Sequence, residues 1–337
     1  MTVRMQTPTD SFVSDYPQAI EFMNQQQAIY WPHFEVKVSK DKQDFLVNLT
    51  DSERHGVITT LKLFTKYEVI IGNDFWLNFV MKKFPRPADI QPMAATFGGV
   101  ELGIHQFFYK TLNEELGLGT DEFYRSYIDD PDLKARIDFL TDTLEEKDDL
   151  RALGAFTYGE GAILYSSFAY LKHFQSSGKN KIVNVVSGIN FSARDEHLHS
   201  VAAAWLFRTL LDEKVYAGEL TKEDLIQLRR DIEAAGHKVL EHERIIIAKI
   251  FEKGNIDGIT AHQLEEFAKH RINLCLTNLG YDPIFEIKNT VVEDWFYKGI
   301  TGYSSQDFFN SKGNQYQRDW NLQGFSRLKR KKEKEQQ

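Results

Sequence analysis

The chain contains very little cysteine. Cys275 is the only cysteine among 337 residues, so no disulfide can form within the chain, and a reducing compartment is indicated. Its position in the helical run HRINLCLTNLG indicates a small core residue rather than a nucleophile. The N-terminus lacks an apolar signal-peptide stretch, and no hydrophobic run reaches transmembrane length. We therefore expect a soluble, cytoplasmic protein with no membrane partner.

Basic residues are in the minority outside the C-terminal tail. The formal net charge is −8, and residues 327–337 hold six basic and two acidic residues, a net +4, which leaves −12 on the rest of the chain. A body this acidic is a poor candidate for nucleic-acid binding. The hydrophobic fraction of 42% and the 25 phenylalanines instead suit a thick, dry interior.

Strand signals are also missing, because no alternating pattern is long enough for a sheet, and no internal repeat is present. Apolar residues recur at helical spacing instead, first in a helix that Thr50 can cap while Glu53 returns the hydrogen bond. Helical periodicity stops after Pro283. We predict an all-α protein, with one helical domain over residues 1–300 and a flexible tail over residues 301–337. The predicted helices cover residues 17–30, 50–80, 93–115, 132–149, 152–175, 222–253 and 262–279, and one more carries the motif SARDEHLH.

Two carboxylate–imidazole pairs are the most informative feature of the chain. Glu101 and His105 lie in GGVELGIHQFFYKTL, and Glu196 and His199 lie in SARDEHLHSVAAAW. Residues three or four apart share one face of a helix. The surrounding residues are apolar, and a buried carboxylate is costly unless it is paired or bound to a metal. Two such pairs, with lone carboxylates from two further helices, make the di-metal site of a four-helix bundle.

The lone carboxylates are expected from the other two helices. Glu160 lies in the most apolar run of the chain, between Gly159 and Gly161, which allow another helix or a ligand to approach closely. On the 51–80 helix we choose Asp74, which follows an apolar stretch, over Glu68, which could pair with a neighbouring lysine.

Four carboxylates and two imidazoles suit two redox-active ions such as iron or manganese. Structural zinc sites prefer cysteine, magnesium rarely recruits histidine, and the set is too acidic for copper. A single Glu-x-x-His on a helix is more often ordinary polarity than a metal site. The combination of two pairs and two isolated acids in apolar helices predicts a metal centre. Two iron ions are the first expectation, and a manganese–iron pair or two manganese ions are the alternatives.

Five segments carry a resemblance to a known family. They are YWPHFEVKVSKD, ELGIHQFFY, YGEGAILYSSFA, SARDEHLH and KGNQYQR, and they occur in the family's order between about residues 25 and 320. Together they resemble the small, radical-generating subunit of class I ribonucleotide reductase. The resemblance implies a ferritin-like helical bundle that forms a homodimer and works with a large subunit.

The resemblance also implies roles for individual residues. Tyr109 would be oxidised to a stable radical, and Trp31 and Asp195 would connect the metal centre to the surface, with Arg194 beside the aspartate. Tyr316, in the tail, would relay the radical towards the large subunit, which reduces ribonucleotides. The implied metal ligands are Asp74, Glu101 and His105 for one ion and Glu160, Glu196 and His199 for the other.

The chain departs from the family pattern in three places. The stretch from Asp74 to the first Glu–His pair is a few residues shorter than in the best-known members, which makes Asp74 the least secure of the implied ligands. The chain's first Glu–His separation is four residues, whereas the best-known members have three, so we expect a local helix bulge there. Its tail ends in SRLKRKKEKEQQ instead of an acidic or aromatic peptide, so DWNLQGF is the candidate docking segment. The alternatives are a stand-alone di-metal oxidase, which has no need of Trp31, Asp195 and Tyr316, and a ferritin-type storage protein, which would assemble into a shell.

Overall fold

The computed structural model describes residues 3–145, 148–176, 178–298 and 300, and all regular elements within these ranges are helices. We number the α-helices in chain order, count a helix that continues through a π-helical turn as one element, and leave the separate short 3₁₀ and π segments unnumbered. The helices are α1 (Pro17–Ala28), α2 (Asp51–Val69, continuing through the π segment Ile70–Val80 to Met81–Lys83), α3 (Ile90–Val100, the π turn Glu101–His105 and Gln106–Glu115), α4 (Asp121–Asp129), α5 (Pro131–Glu145), α6 (Asp149–Tyr158, the π turn Gly159–Ile163 and Tyr165–Lys172), α7 (Val183–Ala217), α8 (Lys222–Ile250), α9 (Ala261–Leu279) and α10 (residues 291–298).

Local signals set several helix ends. The predicted capping box at Thr50 and Glu53 is confirmed: each side chain bonds the other's backbone N–H. The C-terminal end of α9 is set by Gly280, whose φ of 95° lies in the left-handed region that side chains avoid. These caps satisfy backbone groups that a helix end leaves unpaired.

The core is a bundle in which α2 packs on α3 and α6 packs on α7. Helices α8 and α9 cover the second pair, and α1 lies across α3 and α7. The apolar run of α6 is buried along its whole length. No helix formed by the described residues is both long and apolar enough to cross a membrane.

Two expectations from the sequence are wrong. Helical structure does not stop after Pro283, because residues 291–298 form α10, which is held by the buried side chains Val292 and Phe296. Eight residues span barely two turns, too few for a periodic pattern to register. The charged residues next to His173 and His242 in the sequence predict solvated side chains, but both histidines are buried.

Candidate metal centre

Six ionisable side chains from four helices meet in the centre of the bundle. They form two overlapping groups, in each of which one oxygen or nitrogen atom per residue lies within 4.8 Å of the others, and all six residues are buried. The two groups share two glutamates, which is the arrangement expected if two ions are bound side by side. The groups are Glu68, Glu101, His105 and Glu196, and Glu101, Glu160, Glu196 and His199.

His105 is the centre of the first group. Its Nδ1 lies 2.9 Å from Glu101 Oε2, 3.0 Å from Glu196 Oε1 and 3.8 Å from Glu68 Oε2. Its other nitrogen, Nε2, lies 3.1 Å from Asp195 Oδ2. A proton on Nε2, held by Asp195, leaves the Nδ1 lone pair directed at the three glutamates.

His199 is arranged in the same way in the second group. Its Nδ1 lies 2.5 Å from Glu101 Oε1, 3.8 Å from Glu196 Oε2 and 3.9 Å from Glu160 Oε2. Nε2 lies 3.0 Å from the side-chain oxygen of the buried Gln26. Glu101 and Glu196 therefore present one oxygen to each imidazole.

π-helical turns place the glutamates of two helices. Glu101 and His105 begin and end one π turn, which brings residues four apart onto the cluster. The helix bulge expected from their spacing is confirmed. Glu160 lies in a second π turn, Gly159–Ile163, and the end of α2 after Glu68 is a longer π segment. Such turns inside α-helices are frequent at functional sites.

Burial and neighbouring charges shift the pKa of several groups in the cluster. Burial, followed by the charges of Glu196 and Glu101, raises the pKa of both Glu68 and Glu160 well above the ordinary value. Burial would also raise the pKa of Glu101, but His105 and His199 outweigh it and lower that pKa. Burial would lower the pKa of His199, but Glu101 raises it to about 9. The protein without ions therefore retains protons that bound cations would displace.

The donor atoms of this cluster fit metal ions. Among the described residues, neither oxygen of Glu68 has a hydrogen-bond partner, and Oε2 of Glu160 has none. Buried carboxylate oxygens without partners are costly, and cations would satisfy them. Oxygen and imidazole donors are typical ligands of iron and manganese.

Asp74 is not part of this cluster, so the preference for Asp74 over Glu68 is wrong. Asp74 is partly exposed and accepts a hydrogen bond of 2.6 Å from Asn73 Nδ2. Glu68 is completely buried, whereas the neighbouring Lys66 is exposed. The other five predicted ligands lie together.

Trp31 is connected to the cluster through a single aspartate. Its indole Nε1 donates to Asp195 Oδ2 over 2.8 Å, and the same oxygen lies 3.1 Å from His105 Nε2. The two rings are 5.9 Å apart between centroids. Arg194 Nε lies 3.6 Å from the other oxygen of Asp195. The structure thus brings Trp31, Asp195 and Arg194, which the sequence resemblance connected, together beside His105.

Tyr109 lies one helical turn beyond His105, in a dry aromatic pocket. Its side chain is fully buried, and its hydroxyl faces Ser192 without a hydrogen bond of normal geometry. Phe64 and Phe108 pack against it, with ring centroids 4.6 and 5.0 Å away. Burial, followed by the charge of Glu68, raises the pKa of the phenol well above 10. Tyr316, the last predicted site residue, lies outside the described residues.

Two residues beside the cluster were missed from the sequence. Trp76 donates to Glu160 Oε1 over 2.5 Å, and Gln26 faces His199. Trp76 belongs to the long π segment, whose phase does not follow helical spacing. Gln26 lies on α1 among other glutamines, and nothing in the sequence distinguishes it. A helical bundle with such a buried cluster of carboxylates and imidazoles has the ferritin-like architecture, and its cluster could hold two metal ions.

The family profile described as "Ribonucleotide reductase, small chain" matches residues 9–291. The chain belongs to this family and is therefore a subunit of an oxidoreductase. A relative from Bacillus subtilis, named ribonucleoside-diphosphate reductase subunit beta, is 29% identical over 178 residues, which cover 51% of this chain and 50% of the relative. A protein of the same name from Chlamydia pneumoniae is 23% identical over 313 residues, covering 87% of this chain and 85% of the relative.

Solved structures share the fold. A putative class I ribonucleotide reductase from Bacillus halodurans has a TM-score of 0.74 and 22% identity, covering 84% of this chain and 99% of that one. A dimanganese(II) NrdF from Streptococcus sanguinis has a TM-score of 0.73 and 18% identity, and the match covers 87% of this chain and 99% of that one.

Proposed function

We propose that this subunit holds two metal ions and stores an oxidising equivalent on Tyr109 for use by a large subunit. Glu68, Glu101 and His105 would hold one ion. Glu160, Glu196 and His199 would hold the other, with Glu101 and Glu196 shared. When bound, the ion pair supplies the oxidising equivalent by reacting with dioxygen or a related oxidant. The single observation that carries the proposal is the convergence of these six buried groups beside Tyr109.

Tyr109 is suited to storing this equivalent. Loss of one electron and the phenolic proton leaves a neutral oxygen radical, which costs less in a dry pocket than an ion would. The hydroxyl faces Ser192 without a hydrogen bond of normal geometry, and Phe64 and Phe108 pack against the ring. Water and soluble reductants are therefore kept from the ring.

Trp31 and Asp195 provide the route out of the core. An electron that leaves Trp31 towards the metal centre can be accompanied by proton movement along the Nε1–Asp195–Nε2 hydrogen bonds. This coupling keeps the charge of the buried aspartate balanced. Tyr316 would continue the route to the large subunit, where ribonucleotides are reduced. A stand-alone oxidase would have no need of this chain of residues.

The remaining parts of the proposal rest on the relatives. The name of the relatives, ribonucleoside-diphosphate reductase, favours diphosphate substrates. Because the similar structure from Streptococcus sanguinis is a dimanganese(II) protein, manganese remains a candidate metal as well as iron. We further propose a homodimer that pairs with a large subunit in the cytoplasm.

Replacing Tyr109 with phenylalanine tests the central step. The variant should bind the same number of metal ions but lose the organic radical and the reductase activity, because phenylalanine has no phenolic proton to release. The measurement is electron paramagnetic resonance after metal-free protein is loaded with iron or manganese in air, with metals counted in parallel.

Tyr170→Phe is the matched control, because Tyr170 is also fully buried but its hydroxyl bonds the carbonyl of Glu53. It should keep the radical signal. Full activity in Tyr109→Phe would refute radical storage on Tyr109 and indicate that the metal centre is itself the oxidant.

A further inference from the structure

The π turn that carries Glu160 is held from outside by three other helices. Its carbonyl groups accept hydrogen bonds from Tyr67 on α2, at 2.9 Å to Gly159, and from Arg271 on α9, at 2.8 Å to Gly161. Arg136 on α5 donates to the carbonyl of Ile163. A π turn disturbs the regular i to i−4 bonding of a helix, so its carbonyls depend on such partners.

Of the three residues, Arg136 also bonds Glu243 on α8, whereas Arg271 connects the turn to α10. Its side chain is 1% exposed, and its guanidinium stacks over the Tyr165 ring at 3.6 Å from the ring centroid. While Nε donates to Gly161, Nη1 donates to the hydroxyl of Tyr297 over 2.8 Å. The planar guanidinium therefore fixes the distance between the Glu160 turn and α10.

Further polar contacts join α9 and α10. Arginine can only donate, so the Tyr297 hydroxyl accepts from Arg271, and its own proton can go to His270 Nε2, 3.3 Å away. Burial lowers the pKa of His270 to about 4, so its ring is a neutral acceptor at pH 7. Nδ1 of His270 lies 3.2 Å from Glu293 on α10.

Helix α10 is attached to the bundle at its other face as well. Phe296 is fully buried, and the buried Lys172 of α6 donates to its carbonyl over 2.8 Å. Residues 291–298 are the last helix in the described part of the chain, and Tyr316 follows 18 residues after its end. In the sequence, the tail thus follows α10, the helix that carries Tyr297.

We propose that Arg271 is a positioning residue that links helix α10, through Tyr297, to the turn that carries Glu160. The position of α10 then sets the position of one metal ligand, so docking of the tail on a large subunit is communicated to the metal centre. This inference rests on the proposed function for the metal centre and the partner. The link itself is a property of the chain without metal.

The first test is amide hydrogen exchange of the metal-free, full-length protein. Tyr297→Phe removes only the hydroxyl, so the ring still packs on Phe267 and Phe296, but Arg271 loses one hydrogen-bond acceptor. Amides of the Gly159–Ile163 turn should exchange about fivefold faster, the factor expected for loss of one hydrogen bond. Tyr170→Phe, which removes a buried hydroxyl of α6 that bonds Glu53, should leave the turn unchanged.

A double variant tests whether the effect passes through Arg271. Arg271→Lys keeps the charge but cannot bond Gly161 and Tyr297 in one plane. In the Arg271→Lys protein, Tyr297→Phe should not raise the exchange rate of the turn amides any further. Unchanged exchange in Tyr297→Phe, an equal effect in Tyr170→Phe, or full additivity in the double variant would each overturn the link.

The second test uses Mn(II), whose unbound form is counted by electron paramagnetic resonance. Tyr297→Phe should raise the dissociation constant of the more weakly bound Mn(II) ion by about the same factor of five. It should also change the electron paramagnetic resonance spectrum of the loaded protein. Tyr170→Phe should have neither effect. Faster exchange with unaltered Mn(II) binding would overturn the positioning role. Failure of the wild type to bind any Mn(II) would instead refute the metal centre, and the metal-free exchange data would still report on the link.

Discussion

The choice between Glu68 and Asp74 depends on the phase of a single helix. The two residues are six positions apart, about one and two-thirds turns of an α-helix, so they lie on different faces. Both have apolar neighbours in the sequence, and neighbours alone do not tell which face points to the core. Glu68 is buried with two partnerless oxygens, and Asp74 is partly exposed.

Paired substitutions at these positions give a direct prediction. Glu68→Gln should reduce the metal content from about two ions per chain to about one, because only one of the two groups contains Glu68. Asp74→Asn should leave it unchanged. Elemental analysis after loading and desalting measures both. If Asp74→Asn lost an ion and Glu68→Gln were fully loaded, Asp74 and not Glu68 would be the metal ligand.

At the scale of elements, the helices of the core depend on turns that depart from α-helical geometry. The spacing of Glu101 and His105 revealed one of them. The turn at Glu160 has no second ligand four residues away to reveal it, and it is stabilised by contacts from distant helices. This turn also packs tightly against the neighbouring helices, because a Cβ added to Gly161 would collide with Ser200 Oγ and Cys275 Sγ.

Two glycine substitutions distinguish close packing from helix propensity. Gly161→Ala should lower the free energy of unfolding of the metal-free protein by about 1–3 kcal/mol, the usual cost of overpacking. Gly103→Ala lies in the other π turn, where no atom lies within 4 Å of the added Cβ, and should raise it by about 0.5–1 kcal/mol. Urea denaturation measures both. A neutral Gly161→Ala would mean that α6 can move away from Ser200.

At the scale of the whole molecule, exposed aromatic side chains favour association. Phe34 is 65% exposed and Phe107 is 43% exposed, and His33 contacts both rings. Large exposed apolar groups are stabilised when a partner covers them.

We therefore predict a mass in solution near twice 39.1 kDa, independent of metal loading. Sedimentation velocity of the full-length protein measures it, with and without Mn(II). A monomer at micromolar concentration would refute the homodimer, and a shell of many subunits would favour a storage protein.

The sequence by itself determined the all-α fold and five of the six residues that meet in the cluster. Helical spacing and apolar neighbours are local properties, and a carboxylate–imidazole pair three or four residues apart can be recognised without the fold. The tertiary structure decided which face of α2 turns inward, which glutamates are shared, and how Trp31 reaches His105 through Asp195. It also decided that residues 291–298 form a helix whose Tyr297 bonds Arg271. These features depend on the distances between helices that are far apart in the sequence, and local patterns carry no information about such distances.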